Sequence, residues 1–145
     1  MTHRHATCPA VLSRSGDGWC IVLPQRAVVR LRNRGTLIAC RGPHGTLQYF
    51  TRWQWVKEEQ RLSSLIDSRG RHAERLRSAI VNSLFVAELS PEGVLDVPGY
   101  MGEPLGAGSQ LVLVLRPDKV VVWTRDEYEA PVEQWRRERV DRELK

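Results

Sequence analysis

The stretch TLIACRGPHGTLQYFTRWQW (residues 36–55) sets two apolar runs on either side of Gly-Pro-His-Gly and then turns aromatic. Farther along, QLVLVLRPDKVVVWTRDEY (residues 110–128) repeats the plan. Short apolar runs rich in β-branched residues and broken by turn residues predict β-hairpins. Leu37-Ile38-Ala39-Cys40 overlays Leu111-Val112-Leu113-Val114 at an offset of 74. Beyond the turn, Phe50-Thr51-Arg52 overlays Trp123-Thr124-Arg125, and Trp55 overlays Tyr128, at an offset of 73. The one-residue change falls in the hairpin turn, where chain length varies most cheaply. Upstream, Leu23-Pro24 stands in register with Val97-Pro98, and LSRSG (residues 12–16) echoes LSPEG (residues 89–93). Blocks matched in one order mark an internal duplication.

Each copy predicts a strand, a short segment and a hairpin. In the first, strands are expected at 19–23, 36–40 and 46–50, with a helical turn over 25–31 that Pro24 introduces and Gly35 ends. In the second, strands are expected at 86–89, 95–97, 111–115 and 120–123. The run GYMGEPLGAGSQ (residues 99–110) holds four glycines and a proline, which predicts a loop or a much-weakened helix. Thr51 and Thr124 each stand where a hydroxyl caps the first free amides of a helix. The first of these helices puts Trp55, Leu62, Leu65 and Ile66 on one face. Between the copies, Ala73, Leu76, Ile80 and Leu84 follow helical spacing, with Arg71, Arg75 and Arg77 largely outside that stripe. Residues 132–145 read as a highly charged helix. An open sheet of three or four short strands cannot bury its apolar face. The two copies are therefore expected to close one common core.

The chain has 145 residues, 41% hydrophobic and 27% charged, which fits one globular domain and not a disordered chain. Its apolar runs are strand-sized, far short of a membrane span, and MTHRHATCPA lacks a secretory h-region. A cytoplasmic location is expected. Cys8, Cys20 and Cys40 show neither paired count nor C-x-x-C spacing, so buried, idle thiols are expected. His3, His5 and Cys8 read as a frayed polar terminus and not a metal site. The net charge of +5 is uneven: residues 1–72 hold 12 Lys/Arg against 4 Asp/Glu (+8), and residues 73–145 hold 10 against 13 (−3). Nineteen of the 22 cations are Arg. Arg favours bidentate phosphate contact, so a polyanionic partner is expected on the first half.

Enzymatic readings find little support. The glycine-rich run lacks both the Gly-Lys-Ser/Thr ending of a P-loop and G-x-G-x-x-G spacing. His44 sits at a turn tip and His72 opens a helix, neither with a convergent acid and nucleophile. Trp53, Trp55, Trp123 and Tyr128 are expected as core anchors and not as a base-stacking platform. No catalytic residue, cofactor or metal is expected.

Two strand–proline–hairpin units, joined by a basic helix and each ending in an aromatic segment, resemble the MraZ family. The resemblance spans roughly residues 10–130 and rests on LIACRGPHGTLQYFTRWQWV, RHAERLRSAIVNSLFVAELSPEG and LVLVLRPDKVVVWTRDEYEA in that order. It implies a mainly β fold with helices, in which two tandem AbrB-like modules of the double-split β-barrel type form one pseudo-dimeric domain. The modules would occupy residues 8–56 and 86–130, with linking helices at 57–85 and a charged helical tail at 131–145. It further implies a nucleoid-associated transcriptional regulator of the division and cell-wall gene cluster. Such a regulator would assemble into homo-oligomeric rings and bind double-stranded DNA at promoter repeats.

The family carries a D-x-x-x-R signature in each half. Here the first loop reads Ser13-Arg14-Ser15-Gly16-Asp17 and the second Ser90-Pro91-Glu92-Gly93-Val94, so only the glycines match. The second half is a poor DNA surface on this count. Ser13, Arg14, Ser15, Arg26 and Arg30 are therefore the expected DNA contacts, with Arg32 and Arg34 extending the series. The alternative is a diverged MraZ-like paralogue that keeps the oligomeric scaffold, has lost specific DNA binding and serves as a structural or protein-interaction module. A third reading is an AbrB-type antitoxin whose charged tail grips a partner.

Overall fold

The computed structural model describes residues 6–31 and 35–131. Strands β1 (Ala6–Val11), β2 (Ser13–Ser15) and β3 (Gly18–Val22) lead into helix α1 (Gln25–Leu31), then β4 (Gly35–Arg41) and β5 (Leu47–Phe50). Helices α2 (Arg52–Arg69) and α3 (Arg71–Asn82) follow, hinged at Gly70. The second half runs β6 (Phe85–Leu89), β7 (Val94–Val97), α4 (Gly99–Leu105), β8 (Gln110–Leu115) and β9 (Val120–Thr124), with a further helix over 125–131.

All strands join one antiparallel sheet in the order β1-β8-β9-β5-β4-β6-β7-β3-β2. Its outer members, β1 and β2, are separated in sequence only by Leu12, so the sheet must bend round on itself. Leu12 bridges the seam: its N–H donates to Ser109 O at 2.9 Å, and Gly108 N–H donates to Leu12 O at 2.8 Å. The result is a nearly closed barrel, in which few strand edges are left to pair with other chains. The mainly β, barrel-like fold expected from the sequence is thus the one observed.

The register turns the sequence repeat into symmetry. Ile21 pairs with Leu95, its own counterpart at the offset of 74. Gln48 pairs with Val121, its counterpart at 73. Equivalent residues that pair with each other place a two-fold axis through both ladders. The pair Leu37–Ala87 between β4 and β6 likewise maps onto Leu111–Ala10 between β8 and β1, with 77 separating Ala10 from Ala87. The single strand β6 thus has two counterparts, β1 and β2, which share its pairing duties on either side of Leu12.

Side chains alternate as a half-buried sheet requires. Leu37, Leu47, Tyr49, Leu95, Leu113 and Val122 fill the barrel, nearly all fully buried. Tyr49 is polar at one end only, and its hydroxyl donates to Asp96 O at 2.7 Å, so burial leaves no orphaned group. Outside the barrel, Cys40, Phe50 and Trp55 form a second cluster with Ile38 and Ile80, roofed by α2 and α3. The expected caps hold. Thr51 Oγ1 accepts from Gln54 N–H while Gln54 Oε1 accepts from Thr51 N–H, a reciprocal box, and Thr124 Oγ1 accepts from Glu127 N–H.

Several expectations are sharpened or corrected. Of the two alternatives expected for residues 99–110, a loop or a much-weakened helix, the second is found over Gly99–Leu105: α4 is the two-fold counterpart of α1, and a neighbouring indole needs Gly102 there. Trp19 lies across Gly102 so closely that a Cβ on Gly102 would sit 2.2 Å from Trp19 Cγ. The two-fold counterpart of this contact has the sizes reversed. In the ladder Gly93 is the counterpart of Trp19 and not of Gly16, with which it aligns in sequence; it receives Val28, the counterpart of Gly102, with Val28 Cγ2 3.2 Å from the place of a Gly93 Cβ. Large faces small at both ends, as close packing demands. Trp53 is no core anchor. It is 66% exposed, and the Lys57 ammonium sits 5.3 Å from its ring centre. Leu84 also falls outside the core. The terminus is not frayed from Ala6 onward: β1 pairs with β8 and buries Cys8. His3, His5, Arg32, Arg34 and the tail from Val132 lie outside the described residues.

Candidate nucleic-acid interface

The β2–β3 hairpin carries three of the expected contacts. Ser13, Arg14 and Ser15 make up β2, and Gly16 takes the left-handed conformation (φ 59°) that lets the chain reverse into β3. Arg14 pairs with Trp19 across the hairpin. Its guanidinium lies over the Trp19 ring, 4.6 Å from the centre. Trp19 Nε1–H donates to Glu103 Oε1 at 2.9 Å, and the same oxygen stands 3.5 Å from Arg14 Nη1. Packing against Gly102 fixes the indole, the indole carries the guanidinium, and Glu103 orients both. Half of the Arg14 side chain stays exposed. A half-exposed guanidinium held over an indole suits a phosphate or a guanine.

The β6–β7 turn occupies the equivalent position in the second half and has a different chemistry. Ser90 Oγ accepts from Val94 N–H at 3.0 Å, Gly93 is left-handed (φ 90°) and Glu92 is exposed. No cation stands in this turn. Because β3 and β7 run antiparallel, with Trp19 opposite Val97 and Val22 opposite Val94, the two turns lie at opposite ends of that ladder. At ~3.3 Å per residue they are separated by roughly 20 Å.

Arg26 projects from α1 on a different surface. Its Nη2 donates to Thr7 O on β1 at 3.1 Å. It shares a groove with Arg116 and Lys119 of the β8–β9 hairpin, so the second half contributes cations that its overall charge conceals. The Cys8 thiol nearby is pushed up by burial, against the opposing pull of the Arg26 guanidinium. Arg30 lies in α1. Ser13, Arg14 and Ser15 stand in β2 and Arg26 and Arg30 in α1, so the expected contacts fall into a hairpin-tip group and a helix group. Trp19 and Glu103 went unforeseen because 84 positions separate them. The aligned prolines before α1 and α4 were the signal that could have brought them together.

The three cysteines are free and buried, as the sequence leads one to expect. Burial pushes the Cys40 thiol up to about 11, with Glu58 adding to the rise, which makes it a poor nucleophile. Among the described residues no cluster of His, Cys, Asp and Glu could hold a metal ion. No described helix is long and apolar enough to cross a membrane.

No family model matches the chain. Over 89 residues it is 28% identical to the transcriptional regulator MraZ of Coxiella burnetii, in the strains Dugway 5J108-111, RSA 331 (Henzerling II) and RSA 493 (Nine Mile phase I). The match covers 61% of this chain and 58% of those proteins, so the chain spans little more than half the length of the curated relatives it matches. The likeness to the MraZ family read from the repeated hairpins is found again in direct comparison, and the chain is similar in sequence to MraZ transcriptional regulators.

Proposed function

We propose that the chain is an MraZ-like, DNA-binding transcriptional regulator of the division and cell-wall gene cluster, acting in the cytoplasm at the nucleoid. Contact runs mainly through the basic first module, residues 8–56, with Ser13, Arg14 and Ser15 at the hairpin tip and Arg26 and Arg30 on α1. The observation that carries this reading is the Arg14 guanidinium, held on Trp19 at the tip of the hairpin where the family signature would stand. Sequence similarity to MraZ regulators supports it. The reading involves no reaction and needs no cofactor. It includes assembly into a homo-oligomeric ring on promoter repeats, because of the two symmetry-related turns the first carries Arg14 and the second only Glu92.

One observation favours the second reading, a scaffold that has lost specific DNA binding. Arg14 and Arg26 are both engaged within the chain, by Glu103 and by Thr7 O, and the second turn presents Glu92 where a cation would help. Fluorescence anisotropy with duplex promoter repeats at two salt concentrations separates the two. The regulator binds repeats more tightly than scrambled DNA. Arg14→Ala then weakens binding and lowers the salt slope by about one if Arg14 meets a phosphate. It relaxes sequence preference by ~1–3 kcal/mol if Arg14 reads a base. No binding at low salt overturns the regulator and leaves the scaffold.

A further inference from the structure

The two-fold sets two grooves in equivalent places, and their chemistry differs. In one, α4 faces the β4–β5 turn across a space of about 220 Å³, lined among others by Tyr100, Gly42 and Thr46. In the other, α1 faces the β8–β9 turn across about 520 Å³, lined among others by Arg26, Arg116 and Lys119. These are the same three positions. Arg26 and Tyr100 are 74 apart, as are Gly42 and Arg116, and Thr46 and Lys119 are 73 apart, the two offsets of the repeat. The turn hydrogen bonds bear out the match: Gly42 N–H donates to Thr46 O and Arg116 N–H to Lys119 O, each at 2.9 Å. The neutral set is satisfied within the chain. Tyr100 OH donates to Ser83 O at 2.8 Å, Thr46 Oγ1 donates to Pro43 O at 2.7 Å, and the Arg41 guanidinium lies over the Tyr100 ring at 4.4 Å. The frame therefore closes with no charge at these positions, and packing alone does not require three cations in the equivalent place.

Like charges gathered in one groove repel unless an anion meets them. Among the described residues no Asp or Glu lines this groove. Arg26 is steered by a neutral acceptor, Thr7 O, and Arg116 has an exposed pair with Asp118 at 3.5 Å, which contributes little. Lys119 is half-buried, and among the described residues no hydrogen bond or ion pair engages its ammonium. We propose that the groove is a phosphate-binding site built by both halves, with Arg26, Arg116 and Lys119 as its donors. Two guanidinium forks and an ammonium suit a multiply charged oxyanion. Among the described residues no aromatic ring lines the groove to stack on a base, so the site answers to charge and not to sequence. Where the chain acts as the DNA-binding regulator proposed above, the occupant is a backbone phosphate, and this use of the site rests on that reading. The second half, at −3 over residues 73–145, then still grips DNA through its β8–β9 hairpin. By the same chemistry the groove takes a free phosphate group.

The test has two arms, both on the full chain. In the first, fluorescence anisotropy follows promoter repeats and scrambled duplex over a range of salt. Lys119→Gln and Arg116→Gln are each expected to weaken both duplexes alike and to lower the salt slope by about 0.9. Lys119→Arg keeps the parent slope, and Asp118→Asn tightens both duplexes by removing a carboxylate beside Arg116. In the second arm, pyrophosphate is titrated while amide chemical shifts are followed by NMR. Amides of α1 and of the β8–β9 turn are expected to shift saturably in the parent, and not when Arg26→Gln and Lys119→Gln are combined. A response in the duplex arm assigns the site to backbone phosphate. A response to pyrophosphate alone keeps the site and assigns it to free phosphate; a parent that then binds no duplex overturns the DNA-binding reading separately. If neither arm responds in variants whose circular dichroism matches the parent, the site is overturned, even where the parent binds DNA. Should Lys119→Gln fail to fold, Arg116→Gln, on an exposed side chain, decides both arms in the same way.

Discussion

Replacing Gly102 by alanine reverses a general expectation. In the interior of an exposed helix, Gly→Ala stabilises by roughly 0.5–1 kcal/mol, because glycine loses more backbone freedom on folding. At Gly102 the added methyl would lie 2.2 Å from Trp19 Cγ and 2.5 Å from Cδ2, ring atoms that cannot flex away. Either α4 lifts from β3 or the indole, 8% exposed, leaves its site. Overpacking of this kind costs ~1–3 kcal/mol, and displacing the indole adds part of the ~3–5 kcal/mol that removing a buried tryptophan costs. Set against the propensity gain, the net loss is about 2–4 kcal/mol. For a chain of this size that lowers the thermal midpoint by roughly 4–16 °C. Calorimetry on Gly102→Ala, with Gly99→Ala as control, reads the effect; a Cβ at Gly99 meets nothing within 4 Å. In a Trp19→Ala background the same substitution is expected to be neutral or stabilising, because the clash is gone. A Gly102→Ala protein as stable as its parent would refute the argument that this glycine exists to receive Trp19.

The related contact in the other half predicts that Gly93→Ala destabilises by ~1–3 kcal/mol, since its φ is 90° and its Cβ would meet Leu23 O at 2.8 Å; urea unfolding measures it. Tyr49→Phe leaves the Asp96 carbonyl without its donor inside the barrel, and a loss of about 1 kcal/mol is expected in the same assay. Stability should hold up to about pH 9 and then fall. The folded pKa values of Cys40 and Tyr100 are raised, by burial first, to about 11 and about 12, so the unfolded chain releases those protons earlier. Cys40→Val is expected to flatten the decline between about pH 9 and 11 in a thermal melt series, and an unchanged slope would remove Cys40 from the account.

The parts legible in the sequence were those coded by short-range pattern. Apolar runs around turn residues gave the hairpins, Thr51 and Thr124 gave helix starts, and the offsets of 74 and 73 reappear in the pairs Ile21–Leu95 and Gln48–Val121. What stayed hidden depends on contacts between distant residues. Pro9 and a mix of small residues disguise β1, although proline is tolerated on a strand at the end of the sheet order. By propensity α4 reads as no more than a loop or a much-weakened helix, yet Gly102 serves the indole of Trp19, a reason no local window contains. The site divides likewise. Arg14 stands out as a cation in a turn, while its platform and its acid come from β3 and α4 and meet only in the closed barrel.

Symmetry in backbone and asymmetry in charge together constrain how such a chain could meet DNA. The two-fold sets the turns at residues 15–18 and 90–93 roughly 20 Å apart, at opposite ends of the β3–β7 ladder. Were both turns basic, one chain could span two contact points on a duplex. Here one tip carries Arg14 and the other Glu92, and a carboxylate approaching a phosphate loses affinity. On the proposed reading each chain therefore supplies one basic tip from this symmetry-related pair, a small contact whose affinity on its own would be weak and salt-sensitive. Repeated DNA sites read by several copies would multiply that contact through effective concentration. The proposal thus ties DNA affinity to assembly: a variant that stays folded but monomeric by light scattering should lose most of its binding to tandem repeats while keeping its weak binding to a single repeat. Equal binding of monomer and assembly to tandem repeats would break that link.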